Sequence, residues 1–234
     1  MEKILIWVLI IVGLYAVVGC SSQSTKLQES ASEISFDGLH LVENSKVAVA
    51  YINPDADFSV YTQVAILEPF VTFRPNWKRD QNRTRSRNIT DSDMERIKTD
   101  VAVLFRKVFI EKLEADDGYE VVDALGEEVL LLRPAIINLD VTAPDKKQAG
   151  RNITLTASAG AATIYIELYD SVTGAILGRA SDRRVSRNGA GVWTWSNTVS
   201  NSAGARRIFG RWASTLRDFL DKHYVEDASK EMLE

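Results

Sequence analysis

From Ile4 to Val18 the chain is almost unbroken apolar sequence. That run falls at the upper end of a secretory leader's apolar segment and below the ~20 residues a membrane-spanning helix needs. Ser21 to about Ser35 is Ser, Gln, Lys and Glu with few apolar residues, too few to bury, and reads as a flexible linker. The folded pattern starts at Phe36 and Leu39 and ends near Tyr224. Residues 225–234 read as a disordered acidic tail. The expected division is therefore a leader over 1–19, a linker over 20–35, one domain over 36–224 and the tail.

Within 36–224 the period of the apolar positions changes from element to element. Lys46–Ile52 reads as a short strand, and Asn53-Pro54-Asp55-Ala56-Asp57 as a turn cluster. Tyr61–Phe73 has apolar residues at both parities, as a strand buried on both faces does, with Pro69 forcing a bulge or break. Asp91–Ala115 repeats apolar residues every three or four positions (Ile97, Val101, Phe105, Val108, Phe109), which predicts an amphipathic helix. Thr90 or Ser92 can cap it, and Asp117-Gly118 ends it, with Gly118 free to turn left-handed. Tyr119–Val122 is a short strand. Leu130–Thr142 follows, with Ile137, Leu139 and Val141 inward and Asn138, Asp140 and Thr142 wet. Ala161–Asp170 alternates Ile164, Ile166 and Leu168 against Tyr165, Glu167 and Tyr169. Asp170–Gly174 is a hairpin loop, and Ala175–Val185 is the returning strand. Ala203–His223 is a second amphipathic helix, striped by Ile208, Phe209, Trp212, Leu216, Phe219 and Leu220. Two such helices must bury their stripes. The expected fold is α+β: one mixed, largely antiparallel sheet of about five strands, with both helices packed on one face.

Composition narrows the classes. Of 234 residues, 45% are hydrophobic and 26% charged, ordinary for a globular domain. The net charge of −4 is mild and partly held in the tail, so no nucleic-acid partner is expected. Cys20 is the only cysteine, so no intrachain disulfide can form.

Val17-Val18-Gly19-Cys20, behind the apolar run and ahead of Ser21, resembles the lipobox of bacterial lipoproteins. The resemblance implies lipid on the Cys20 sulfur, cleavage before Cys20, and acylation of the new amino terminus. Such multiple acylation anchors a chain stably. Ser21 in place of Asp implies the outer membrane rather than the inner one, facing the periplasm. An uncleaved N-terminal anchor helix with an incidental cysteine is the alternative, and it too leaves the domain tethered to a membrane.

A second resemblance covers about Phe36 to His223. It is carried by Tyr51-Ile52-Asn53-Pro54-Asp55-Ala56-Asp57-Phe58, by Val64–Pro69, by Arg133–Thr142 and by Glu167–Leu177 with Asp182-Arg183-Arg184. Trp212-Ala213 with Leu216-Arg217 completes it. Together these are similar to the bacterial lipoprotein family catalogued as domain of unknown function 3313, which implies class and location and transfers no catalytic residue.

Candidate chemistry is sparse. His40 and His223 lie at opposite ends of the domain sequence, so no metal is expected. Gly189-Ala190-Gly191 lacks the third glycine of a dinucleotide loop, and no cofactor is expected. No catalytic residue is assigned. Asp140 and Glu167, on wet strand faces, could pair as acid and base, or can simply be solvated carboxylates. Arg74, Lys78, Arg79, Arg83, Arg85 and Arg87 surround Trp77 and read as a flexible basic loop. It could contact anionic lipid or an acidic partner, or be a solvated, salt-bridged loop. Trp193 and Trp195 share one side if their segment is extended, as an exposed patch or as cover for the core edge.

The expected function is a non-catalytic, membrane-anchored envelope lipoprotein, a binding or assembly module held to the membrane through lipid on Cys20. The alternative is an envelope enzyme with a carboxylate and arginine site at strand ends, drawing on Asp140, Glu167 or Asp182.

Overall fold

The computed structural model describes residues 33–83, 88–141, 155–156, 158–187, 194–195 and 198–231. Cys20, Arg85, Arg87, Gly189–Gly191 and Trp193 lie outside them. The elements in chain order are β1 (His40–Leu41), β2 (Val49–Ile52), β3 (Gln63–Ile66), β4 (Phe70–Phe73), α1 (Trp77–Asn82), α2 (Asp91–Leu113) and β5 (Glu120–Val122). Then come β6 (Val129–Val141), β7 (Leu155–Thr156), β8 (Ser158–Asp170), β9 (Ile176–Arg187), β10 (Thr194–Trp195) and α3 (Thr198–Glu231). Eight strands form one mixed sheet in the order β1-β2-β9-β8-β6-β3-β5, with β4 also on β6. β7 and β10 form a separate antiparallel pair. The α+β class is as expected; the strand count is larger, in part because Leu67–Pro69 splits the expected Tyr61–Phe73 strand in two and a two-residue β1 is added at the edge. Where β3 ends, Arg106 on α2 donates to the freed Ile66 carbonyl at 2.8 Å.

One core fills the space between the sheet and the two long helices. Phe105 and Phe109 of α2 stack at 4.0 Å, and Phe209 of α3 meets Phe105 edge-on. Below them lie Val64, Leu132, Ile136, Ile164 and Ile166. The α2 stripe and the α3 stripe are the buried faces the periodicity predicts. Thr90 caps α2 in a reciprocal box with Asp93.

Three sequence expectations are corrected here. On β6 the inward residues are Leu130, Leu132 and Ile136, then Leu139, while Ile137 is only half-buried. The cause is a bulge: between Ile137 and Asp140 two β6 residues, Asn138 and Leu139, stand opposite one on β8, Ala162, and Asn138 sits at φ 53°, a left-handed conformation Asn tolerates. The strand changes parity at that point. Second, the helix α3 runs on to Glu231, across the region expected to be a disordered tail. Third, the left-handed turn after α2 is made by Asp116 (φ 51°) and Asp117 (φ 54°), not by Gly118.

Gly118 is small for another reason. Arg217 of α3 reaches over it to donate to the carbonyls of Leu113 (2.9 Å) and Ala115 (2.8 Å), satisfying the C-terminal end of α2. A Cβ on Gly118 would fall 1.9 Å from the Arg217 Nη1 and 2.2 Å from the Leu113 oxygen. Gly118→Ala is expected to cost roughly 1–3 kcal/mol, as overpacking does. Urea unfolding would show it as a lowered midpoint; an unchanged midpoint would mean that Arg217 does not hold this position.

Candidate functional site

The carboxylates singled out from sequence are not brought together. Glu167 pairs across the sheet with Arg133 on β6, whereas Asp140 lies further along that strand, level with Ala161. The remaining pair, Glu167 and Asp182, point to opposite faces of the sheet. Asp182 sits beneath α3, and Glu167 lies on the face the helices leave open.

Glu167 is not a wet strand residue. It is only 4% exposed, sunk under its own neighbours. Arg133 and Arg179 flank it in register on β6 and β9. Its Oε2 accepts from Arg133 Nε at 2.8 Å and from the Tyr169 hydroxyl at 2.9 Å. Its Oε1 accepts from the Tyr165 hydroxyl at 2.9 Å and from Arg179 Nε at 3.2 Å. Arg179 also forks onto Asp37, which accepts from Ser35. Burial pushes the Glu167 carboxyl up, but hydrogen bonds from Tyr169, Tyr165 and Arg133 outweigh it and hold the group below the usual glutamate value. Burial, and then the hydrogen bond to Glu167, push Tyr165 up to about 12. The stretch Glu33–Ser35, expected as linker, is tied down here: Ile34 bridges His40, and Leu41 N–H donates to the Glu33 carbonyl at 2.8 Å. Phe36, where the folded pattern was expected to start, is 94% exposed and lies against Arg179 at 5.2 Å.

Asp182, 5% exposed, joins three elements. Its Oδ2 accepts from Trp212 Nε1 at 2.8 Å and pairs with Arg184; its Oδ1 accepts from Ala48 N–H at 3.2 Å. Asp140 is the partner of Arg74 at 3.0 Å.

The basic segment is not the loop the sequence suggests. Residues 77–82 form α1, and Trp77 is 1% exposed, stacked on Phe73 at 4.0 Å with its indole N–H donating to the Val141 carbonyl. Arg74 is bound to Asp80 and Asp140, and Lys78 to Asp91 at 2.6 Å. Arg79 lies beside Asp80 at 3.5 Å with its side chain largely exposed, and Arg83 is exposed. Trp195 lies in the short strand β10, paired with Leu155. Among the described residues no group of three His, Cys, Asp or Glu could hold a metal ion.

A feature that sequence periodicity did not mark lies under α3. There an apolar cavity of about 240 Å³ opens between the helix and the inner face of β2, β9 and β8. Its floor is Ala50, Gly178 and Ala180; Phe58, Leu216 and Phe219 are among its walls. Lys46, Arg179, Asp218 and Lys222 are the charged residues of its lining. Two of its floor positions are cross-strand partners, Ala50 and Ala180. Small residues adjacent across a sheet were the available signal, but only the strand pairing makes them neighbours.

The family described as "Protein of unknown function (DUF3313)" matches residues 29–216, and this chain belongs to it. No curated protein matches the sequence. Among solved structures it is similar to the PelC dodecamer from Paraburkholderia phytofirmans, at 11% identity and a TM-score of 0.38, covering 72% of this chain and 98% of that one. It is also similar to protein XCC0632 from Xanthomonas campestris, at 11% identity and a TM-score of 0.41, covering 76% and 93%. A putative neuraminyllactose-binding hemagglutinin homolog from Helicobacter pylori is similar at 11% identity and a TM-score of 0.35, covering 72% and 90%.

Because the Glu167 carboxyl is held low, it contributes stability in its ionised form. That contribution is present above the unfolded glutamate value near 4.5 and is lost as pH falls through the lower folded value. Glu167→Gln removes the anion shared by Arg133 and Arg179, of which Arg133 is largely exposed and Arg179 keeps Asp37, and is expected to cost about 1–3 kcal/mol at neutral pH, as losing hydrogen bonds to a charged group does. Thermal unfolding across pH 3 to 7 tests both points: the variant's stability should fall less steeply at acid pH, and parallel curves would mean the carboxylate is not coupled to folding.

Proposed function

We propose that this chain is a non-catalytic envelope lipoprotein, a binding or assembly module tethered to the membrane through lipid on Cys20 and facing the periplasm from the outer membrane. The observation that carries the non-catalytic half is the state of Glu167. A carboxylate offers about four lone-pair sites. Glu167 has four donors on them, from Arg133, Tyr165, Tyr169 and Arg179. A base so saturated has no site left for a substrate proton. Asp182 is likewise committed, to Trp212, Arg184 and Ala48, and Asp140 to Arg74. These commitments favour the binding reading over the enzyme alternative, and an apolar cavity with charged residues in its lining is suited to holding something.

The tethering half rests on the lipobox-like Val17-Val18-Gly19-Cys20 behind its apolar leader. Among the described residues no helix is long and apolar enough to cross a membrane. Contact between the basic segment and anionic headgroups is retained only in reduced form, for Arg79 and Arg83 with Arg85 and Arg87 beyond them, since Trp77, Arg74 and Lys78 are engaged within the fold. In-cell crosslinking followed by identification of the trapped species would name a protein partner.

Labelling cells with an alkyne analogue of palmitate tests the tether. The full chain is expected to carry label and to fractionate with the outer membrane, and Cys20→Ala to lose the label. Label-free protein that still sediments with membranes would instead support an uncleaved N-terminal helix, and release of unlabelled protein into the periplasm would end the lipoprotein reading.

A further inference from the structure

The cavity under α3 has the shape and polarity of a site for one hydrocarbon chain. Across its floor Ala50 faces Ala180, and Gly178 faces Ile52, so the floor is low at three small residues, with Ile52, Ile166 and Leu168 standing beside them. Above, Trp212, Leu216 and Phe219 form the roof, and Phe58 and Phe109 close the sides. Such a lining offers an occupant dispersion contacts and almost no hydrogen bonds, so water is a poor tenant. The volume of about 240 Å³ compares with the ~150 Å³ of an apolar cavity that takes benzene, which sets the fit at roughly eight to ten carbons.

The polar side chains of the lining include Ser45, Lys46, Thr215, Asp218 and Lys222, with Arg179 also part of it, so cations outnumber the single carboxylate. The Lys46–Asp218 ion pair, at 2.9 Å, has both side chains more than half exposed. Exposed pairs of this kind exchange partners at little cost. Lys46 can therefore turn to an incoming anion, and the excess of cations over carboxylates in the lining favours an anionic head over a cationic one.

We propose that this cavity binds a single medium-length hydrocarbon chain bearing an anionic headgroup, the chain lying over Ala50, Gly178 and Ala180 and the headgroup meeting Lys46. The proposal rests on the binding-module reading and is independent of the lipid anchor.

The test uses the full chain in phospholipid nanodiscs and decanoic acid carrying a terminal diazirine. After irradiation, adducts are mapped by peptide mass spectrometry. They are expected on the α3 peptide holding Trp212 to Phe219 and on β9. Excess decanoate should compete them away at least tenfold more effectively than decyltrimethylammonium. Ala180→Leu fills the floor and should cut labelling at least tenfold while leaving the thermal midpoint unchanged or raised; Ala50→Leu, on the neighbouring strand, should do the same. Lys46→Glu combined with Lys222→Glu should abolish the preference for the acid over the ammonium. Labelling that maps elsewhere, or that survives both cavity-filling variants in folded protein, overturns the site. Equal competition by the two amphiphiles overturns the anionic head. The same measurement on Cys20→Ala is expected to give full labelling. Absence of cavity adducts together with a crosslinked protein partner would sink this ligand assignment and leave the binding module standing, whereas no adduct and no partner would count against both.

Discussion

A single buried carboxylate fixes where the last helix can lie. Asp182 projects from β9 toward α3 and is satisfied by the Trp212 indole, by Arg184 and by the Ala48 backbone N–H. A buried polar group without partners is costly, so the indole and the carboxylate hold each other in place. Once Trp212 is held over β9, the helix must cross Ala180, Gly178 and Ala50 at a fixed height. Those positions are too small to fill the gap, and the cavity follows from the anchoring above it. The same contact draws in Ala48 and so seats β2 beside β9.

The two faces of the sheet carry different physics. One is covered by α2 and α3 and holds the aromatic and aliphatic core. On the other, Arg133, Glu167 and Arg179 form a row across β6, β8 and β9, with Tyr165 and Tyr169 bonded to the central carboxylate. The tyrosine rings lie against the two guanidinium groups, Tyr169 by Arg133 at 5.2 Å and Tyr165 by Arg179 at 5.9 Å. This arrangement buries a charge on a face that sequence alternation marks as solvated, and Asp37 closes it from the N-terminal side.

Periodicity carried the large elements well. The stripes from Ile97 to Phe109 and from Ile208 to Leu220 are long enough for the helical period to dominate, and Gly174 takes the positive φ (69°) its loop demands. What was not legible depends on cross-strand neighbours. Asn138 reads as an ordinary polar position until the bulge is seen, after which Ile136 rather than Ile137 faces inward. Glu167 looks wet because alternation reports a face, not what stands around the residue on that face. Trp77 looks interfacial among six cations, yet Phe73 and the Val141 carbonyl give it a buried seat. Gly118 suggests a turn, while its smallness serves Arg217, distant in sequence. For the family-carrying segments the order of motifs was informative where each alone was not, and all but the final Arg217 fall within residues 29–216.

β1 pairs with β2, and His40 of β1 also bridges Ile34; β2 is the penultimate strand at that edge and lines the cavity. The described chain enters the domain through residues 33–37, held to β1 by the Ile34 bridge and to β9 by the Asp37–Arg179 ion pair. A mechanical load applied from the N-terminal side would meet those contacts first, then the β1–β2 hairpin and its short seam with β9. The long β6–β8–β9 meander lies behind that seam and would carry tension last, so the edge that walls the cavity would yield before the centre of the sheet.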